Sequence, residues 1–185
     1  MSIYSFIKMP IKQIASMPFH FSALTKVGNG AVQCSWIDDR DQQKLRLIVR
    51  NAILPLGVSE YEGKLTAKVS LDPKSHKQLI DEFKDIVKCA QKRFDNFDIA
   101  DVVTETNFGL EFRVKITDET KFFNIDKVPG TVDLIRQKQS KVDLMISPYM
   151  LWVKDGKGGV SVKALQVKSL HNGVEAMAVE EDCEI

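Results

Sequence analysis

Alternating apolar and polar residues predict several β-strands in the first two thirds of the chain. The clearest are Lys44 to Ala52, Lys64 to Leu71 and Leu110 to Thr117, where apolar residues occupy every second position. Successive side chains of a strand point to opposite faces, so this pattern is typical of strands with one buried and one exposed face. The exposed positions include the basic residues Arg46, Arg50, Lys68, Arg113 and Lys115. A shorter apolar run, AVQCSWI, predicts a further strand that contains Trp36.

Residues 141–169 predict two long strands joined by a glycine-rich turn. The turn, Asp155 to Gly159, consists of residues that tolerate the positive φ of a tight hairpin. Ser147-Pro148 interrupts the first strand, and a bend or bulge is expected there because proline donates no ladder hydrogen bond. The hairpin carries aromatic and basic side chains, which include Tyr149, Trp152, Lys154 and Lys163. Tyr149 and Trp152 can share one face only if the Pro148 region reorients the strand.

One amphipathic helix is predicted after Asp72, which can cap free N–H groups, with Pro73 in the first helical position. Apolar residues from Leu79 to Phe94 follow the 3.6-residue period of a helix. We expect this helix to cover an open end or one side of the sheet. Several strands, one main helix and a terminal hairpin favour a mainly β fold with α additions, namely an OB-fold-like five-stranded barrel, which binds oligonucleotides on one face.

Charge is unevenly distributed along the 185 residues, although the net charge is only +1. Residues 174–185 hold five acidic residues and no basic one, so the rest of the chain, with 26 basic and 20 acidic residues, carries +6. A basic body with an acidic end is typical of proteins that bind polyanions, although such an end can also serve only solubility. We expect an N-terminal arm or extension in residues 1–24, a binding domain in 25–172 and an acidic, mobile tail in 173–185.

The sequence offers little support for enzyme chemistry, a metal site or a membrane. Its three histidines have no sequence partner that suggests a catalytic triad, and no glycine-rich phosphate loop precedes a helix. Asp95, Asp98 and Asp101 lack the spacing of a calcium-binding loop. Three scattered cysteines are typical of reduced thiols in an intracellular protein, and no apolar run reaches 18 residues. We therefore expect no catalysis, no cofactor and no membrane span.

The segment WVKDGKGGVSVKALQVKSL resembles the last hairpin of the OB-fold single-stranded DNA-binding proteins of large DNA viruses and some phages. Their strand pattern G-V-S-x-K-x-x-Q-x-K is matched by Gly159, Val160, Ser161, Lys163, Gln166 and Lys168. The resemblance covers about Gly109 to Leu170. It implies a sequence-tolerant protein that protects or organises single-stranded DNA in replication, recombination or repair.

The end of the chain, VEEDCEI, is similar to the acidic tails of bacterial and phage proteins of this kind. It departs from them in Ile185, where phenylalanine is usual, and in Cys183, which interrupts the acids. The resemblance implies a tail that recruits replication or recombination proteins. The residues assigned to this role are Glu180, Glu181, Asp182, Glu184 and Ile185.

Aromatic rings stack on bases, and Lys or Arg neutralises phosphate, so these residue types mark the expected DNA contacts. They are Trp36, Arg46, Arg50, Lys68, Arg113, Lys115, Tyr149, Trp152, Lys154 and Lys163. The sequence leaves alternatives to DNA contact open for these residues, because Trp152 could belong to the core and the lysines to a solvated face. A non-catalytic protein-interaction module of a replication complex, an RNA-binding OB protein and a homo-oligomer also remain compatible with the sequence.

Overall fold

The computed structural model describes residues 19–21, 25–27, 31–33, 36–38, 43–107 and 109–171. Most of the expected N-terminal arm and the whole acidic tail lie outside these residues. The role assigned to Glu180, Glu181, Asp182, Glu184 and Ile185, like the domain boundaries, therefore stays a prediction.

The described residues form β-strands, one α-helix and a turn of 3-10 helix at Val132–Ile135. The α-helix, α1, is Lys77–Arg93. The strands are β1 (Phe19–Phe21), β2 (Thr25–Val27), β3 (Ala31–Gln33), β4 (Trp36–Asp38), β5 (Leu47–Leu54), β6 (Val58–Tyr61), β7 (Lys64–Leu71), β8 (Asp98–Ile99), β9 (Thr104–Thr106), β10 (Gly109–Ile116), β11 (Lys121–Phe123), β12 (Pro129–Gly130), β13 (Ser140–Lys154) and β14 (Lys157–Ser169).

Five of these strands close into a barrel. The hydrogen-bonded circuit runs β5, β7, β10, β14, β13 and back to β5. All its pairings are antiparallel except that of β10 with β14, which closes the ring. Alternate residues of every strand fill the interior, for example Val49, Val69, Val114, Ile146 and Val162. The prediction of a mainly β protein with an OB-like five-stranded barrel and one main helix is therefore confirmed.

The bulge predicted near Pro148 is present in β13. The pairing of β13 with β14 shifts register between Met145 and Ile146 and again between Pro148 and Met150. An extra residue in one strand bends it and turns the following side chains. Tyr149 lies inside the second irregularity and carries its ring to the outer side of the barrel, where lysines of two strands approach it.

The helix begins four residues later than the sequence pattern suggests, at Lys77. Asp72 does cap backbone groups, but those of a preceding turn, since its carboxylate accepts from the N–H of Lys74 at 3.1 Å and of Ser75 at 2.7 Å. The hydrogen bond from the backbone of Ser75 is the main reason that the pKa of Asp72 is lowered. Phe83 of the helix packs on Phe112 of β10, with ring centroids 5.2 Å apart. The helix therefore adds to the core on the side of β10.

Buried His76 ties the start of the helix to the barrel. Its Nδ1 accepts a hydrogen bond from the N–H of Asp72 at 2.9 Å, and its Nε2 donates to the carbonyl oxygen of Arg50 at 2.7 Å. The ring thus bridges two backbone groups that are distant in sequence.

Replacing His76 with leucine is expected to lower the free energy of unfolding by about 1–3 kcal/mol, because a buried donor and a buried acceptor lose their partner. Urea unfolding followed by circular dichroism measures this effect. The exposed His171 provides the control, since His171→Leu removes an imidazole that faces solvent. Equal stability changes in the two variants would contradict the bridging role.

Candidate nucleic-acid interface

Basic side chains from three neighbouring strands lie side by side on the outer surface of the barrel. Lys68 of β7 is directly opposite Arg113 of β10, and Lys115 of β10 is level with Lys163 of β14. Residues directly opposite in a sheet point to the same face, and alternation keeps Arg113 and Lys115 on one side of β10. We call this surface, formed by Lys68, Arg113, Lys115 and Lys163, the basic face. Its strands β7 and β10 are the second and third of the barrel, the ones that carry the binding face in OB folds.

Tyr149 lies between two of these cations. The Lys115 Nζ is 5.5 Å from the centroid of its ring, and the Lys163 Nζ is 5.8 Å from it. Ammonium groups within about 6 Å of an aromatic face are attracted by the ring quadrupole. The bulge therefore places an aromatic ring and two positive charges, contributed by three strands, at one spot on the basic face.

Lys163 is also held by an acidic residue that the sequence analysis did not single out. Its Nζ donates to the Glu119 carboxylate at 2.9 Å. This hydrogen bond, followed by the positive charge, lowers the pKa of Glu119. The ion pair is therefore present above the ordinary titration range of a glutamate and is lost as the pH falls through the lowered pKa. A phosphate that binds Lys163 competes with this carboxylate.

Replacing Glu119 with glutamine is expected to tighten oligo-dT binding by up to about fivefold at low salt, because the competing charge is removed. Fluorescence anisotropy of a labelled oligonucleotide measures the change. Asp85→Asn is the matched control, because Asp85 forms an exposed 3.3 Å ion pair with Lys88 on α1. If both variants tighten binding equally, the effect reflects net charge alone.

Lys68 has an acidic neighbour as well, whereas Arg113 and Lys115 form no ion pair with the residues described. The Lys68 Nζ lies 3.8 Å from a carboxylate oxygen of Glu111, whose side chain is almost fully buried. The two carboxylate oxygens of Glu111 accept no hydrogen bond within the described part of the chain. In the basic face, Lys68 and Lys163 thus each have a nearby carboxylate. Arg113 and Lys115 are exposed and form no ion pair with a described residue.

Trp152 lies on the outer side of the terminal hairpin and is 38% exposed. It is opposite Gly159 of β14, and a Cβ at that position would be 3.0–3.1 Å from three atoms of the indole. The ring therefore rests on the bare backbone of the glycine, which holds it in place while part of it faces solvent. Lys154, two residues on, is exposed beside the hairpin turn. The alternative that Trp152 belongs to the core is excluded by its exposure.

Trp36 does not belong to this surface. Its side chain is 0% exposed and is part of the hydrophobic core. Leu45, equally buried, donates its backbone N–H to the Trp36 carbonyl oxygen at 2.9 Å. A side chain enclosed in this way has no face available to a base, so the expectation that Trp36 contacts DNA is wrong for this conformation.

The two arginines expected on β5 are not brought into the basic face. β5 pairs with β13 along much of its length, and with β7, the strand of Lys68, where Ile53 is opposite Ser70, but not with β10 or β14. Arg50 forms a 3.1 Å ion pair with Asp143 of β13, which also accepts the backbone N–H of Asn51 at 2.8 Å. Arg46 is exposed immediately before β5. The structure therefore groups Lys68, Arg113, Lys115, Tyr149 and Lys163, and it attaches Arg50 to a different strand pair.

No metal-binding group of three or more His, Cys, Asp or Glu side chains occurs among the residues that the structure describes. The aspartates at 95, 98 and 101 form no such group. No helix in the described ranges is long and apolar enough to cross a membrane.

Comparison with known proteins identifies similar folds. No protein-family model matches this sequence, and no curated protein matches it. The single-stranded DNA-binding protein from bacteriophage Enc34, in complex with ssDNA, superposes with a TM-score of 0.51 and 12% identity over 80% of this chain and 93% of its own. A second structure of that protein gives 0.52 and 14% over 82% and 91%, and a C-terminal truncation gives 0.53 and 9% over 80% and 94%. At this level of identity the likeness establishes the fold.

Proposed function

We propose that this chain is a non-catalytic, sequence-tolerant single-stranded DNA-binding protein that protects or organises ssDNA during replication, recombination or repair, in a phage or another virus. The observation that carries the proposal is the basic face, in which four cations from three adjacent strands lie side by side and two of them, Lys115 and Lys163, flank Tyr149. Trp152 lies on the same outer side of the hairpin. The Enc34 protein, which shares the fold, is in complex with ssDNA in one of its structures, and this supports the assignment.

The contacts suggest how unpaired DNA is held. Lys and Arg side chains neutralise phosphates and release condensed counterions, so affinity falls as salt rises. Aromatic rings stack on bases and contribute about 1–3 kcal/mol each without reading their hydrogen-bonding edges. Lys68, Arg113, Lys115, Lys154 and Lys163 are assigned to phosphates, and Tyr149 and Trp152 to bases. Arg46 and Arg50, which lie away from the basic face, are assigned to phosphates of a longer DNA strand.

Tryptophan fluorescence provides a direct test. Since Trp36 is 0% exposed and Trp152 is 38% exposed, quenching by oligo-dT reports on Trp152. We expect quenching that weakens steeply with salt. Absence of binding at high protein concentration would instead favour a protein-interaction module. Competition between DNA and RNA oligonucleotides of equal sequence determines which polymer is preferred.

The acidic tail is proposed to compete with DNA for the basic face and to recruit replication or recombination proteins. The basis is its charge, since residues 174–185 carry five acidic side chains and the rest of the chain carries +6 (26 basic minus 20 acidic). Deletion of residues 174–185 is expected to tighten oligo-dT binding severalfold at low salt and much less at high salt, because screening weakens the tail's attraction. Unchanged affinity at low salt, measured by anisotropy, would exclude competition by the tail.

A further inference from the structure

Tyr61 is the most exposed large hydrophobic or aromatic side chain of the described residues, at 75% exposure. It ends β6, and the β6–β7 hairpin presents it at its tip. A ring this exposed to water adds little buried apolar surface to the core. Single exposed hydrophobic residues are common and need no explanation by themselves, so the position of Tyr61 relative to the basic face decides its meaning.

The strand register places Tyr61 on the same side of the sheet as the basic face. Tyr61 is directly opposite Lys64 of β7, and the next like-facing pair is Ser59 with Thr66. Thr66 is in turn opposite Lys115 of β10. Directly opposite residues share a face, so Tyr61, Lys64 and Lys115 point to the same side.

Tyr61 and Trp152 lie at opposite ends of this surface. Trp152 is level with Gly159, four residues before Lys163 on β14, and Lys163 is level with Lys115. On β7, Thr66 is level with Lys115, and Lys64 lies two residues further along the sheet, in the direction away from Trp152. Tyr61 is level with Lys64. At about 3.3 Å per residue, the six-residue separation corresponds to roughly 20 Å. The basic face and Tyr149 lie between the two rings.

The hairpin that carries Tyr61 is built as a stiff element. Its two turn residues, Glu62 and Gly63, have φ of 50° and 70°, the left-handed values of the tight turn that matches strand twist. At its base, Gly57 lies so close to the carbonyl oxygen of Arg136 that an added Cβ would be 2.2 Å from it. The backbone that carries Tyr61 is therefore positioned before a ligand arrives, which lowers the entropy cost of binding.

We propose that Tyr61 is a third base-stacking residue, with Lys64 beside it for phosphate, and that it marks the far end of a DNA path that begins at Trp152. This inference rests on the proposed function. It predicts that Tyr61 matters only for strands long enough to reach it.

The test compares Tyr61→Ala with the wild-type protein on dT oligonucleotides of about 4 and about 12 nucleotides, within the range of site sizes of OB folds. We expect at least about fivefold weaker binding of the longer strand, the loss of one stacked base. The short strand should change less than about twofold, because it can occupy the Trp152–Tyr149 half. Tyr61→Phe is the matched control and should bind both lengths like wild type, since it keeps the ring.

The outcomes separate this inference from the function on which it rests. If Tyr61→Ala binds the longer strand normally while Trp152→Ala binds it weakly, the extended path is overturned and DNA binding stands. Equal losses for both lengths would overturn the placement of Tyr61 at the end of the path. A Tyr61→Phe variant as weak as Tyr61→Ala would overturn stacking as the contact. If wild-type protein binds neither strand, the proposed function itself fails.

Discussion

Replacing Trp152 with alanine is expected to weaken oligo-dT binding by about 5- to 150-fold, the equivalent of the roughly 1–3 kcal/mol that a stacked base contributes. The indole is partly exposed and rests on Gly159, so its position is set before DNA arrives. Anisotropy of a labelled oligonucleotide measures the affinity, because the variant lacks the tryptophan whose fluorescence is expected to respond to DNA. A melting curve establishes that the variant is folded.

Two further variants make the Trp152 experiment specific. Trp152→Phe keeps an aromatic ring and is expected to retain most of the affinity. Trp36→Phe changes a tryptophan that is fully buried, so it should alter stability and leave affinity as it was. Wild-type affinity in Trp152→Ala would remove Trp152 from the interface and leave Tyr149 as the stacking residue of the hairpin side.

Replacing Gly57 with alanine is expected to lower the free energy of unfolding by about 2–5 kcal/mol. Its φ of +65° is a left-handed conformation, which costs an L-residue about 1–2 kcal/mol. The new Cβ would also meet the carbonyl oxygens of Arg136 and Gln137 at 2.2 and 2.8 Å. Both atoms belong to the backbone and cannot rotate away, so overpacking adds about 1–3 kcal/mol. Urea unfolding with an unchanged m-value measures the loss.

The hairpin turn itself supplies the control for Gly57. Gly63 has a similar φ of +70°, but a Cβ there meets nothing within 4 Å. Gly63→Ala therefore isolates the conformational cost, and the difference between the two variants gives the cost of the contact with residues 136–137. Equal losses of unfolding free energy in Gly57→Ala and Gly63→Ala would show that the contact with residues 136–137 relaxes without cost. Because Gly57 lies at the base of the hairpin that carries Tyr61, a folded Gly57→Ala protein should also lose affinity for long oligonucleotides.

The alternation of residues was enough to predict most of the barrel. It identified the strands that became β5, β7 and β10, and the interruption at Pro148 predicted the bulge in β13. It was less informative about the helix start, because Asp72 and Pro73 suit the first turn of a helix and also suit the separate turn that they form. The sequence did not single out Tyr61, because a strand of four residues such as β6 is too short for its alternation to stand out.

Local sequence patterns could not show which strand faces would lie next to each other in the fold. Arg50 and Lys68 follow the same alternation, yet Arg50 pairs with Asp143, which is 93 residues away, and Lys68 lies beside Arg113. Nor could composition distinguish the two tryptophans, since both lie in apolar strands and only packing buries Trp36. Glu119, in a turn between strands, became relevant only when the fold brought it to Lys163, 44 residues further on.

The amino-acid sequence alone determined the strands, the basic positions on them and the glycine turn of the last hairpin, because each depends on the conformational preferences of neighbouring residues. Tertiary structure decided the parallel contact of β10 with β14, the position of Tyr149 between Lys115 and Lys163, and the exposure of Trp152. These depend on pairings between segments far apart in the chain, whose register is set by filling one common core.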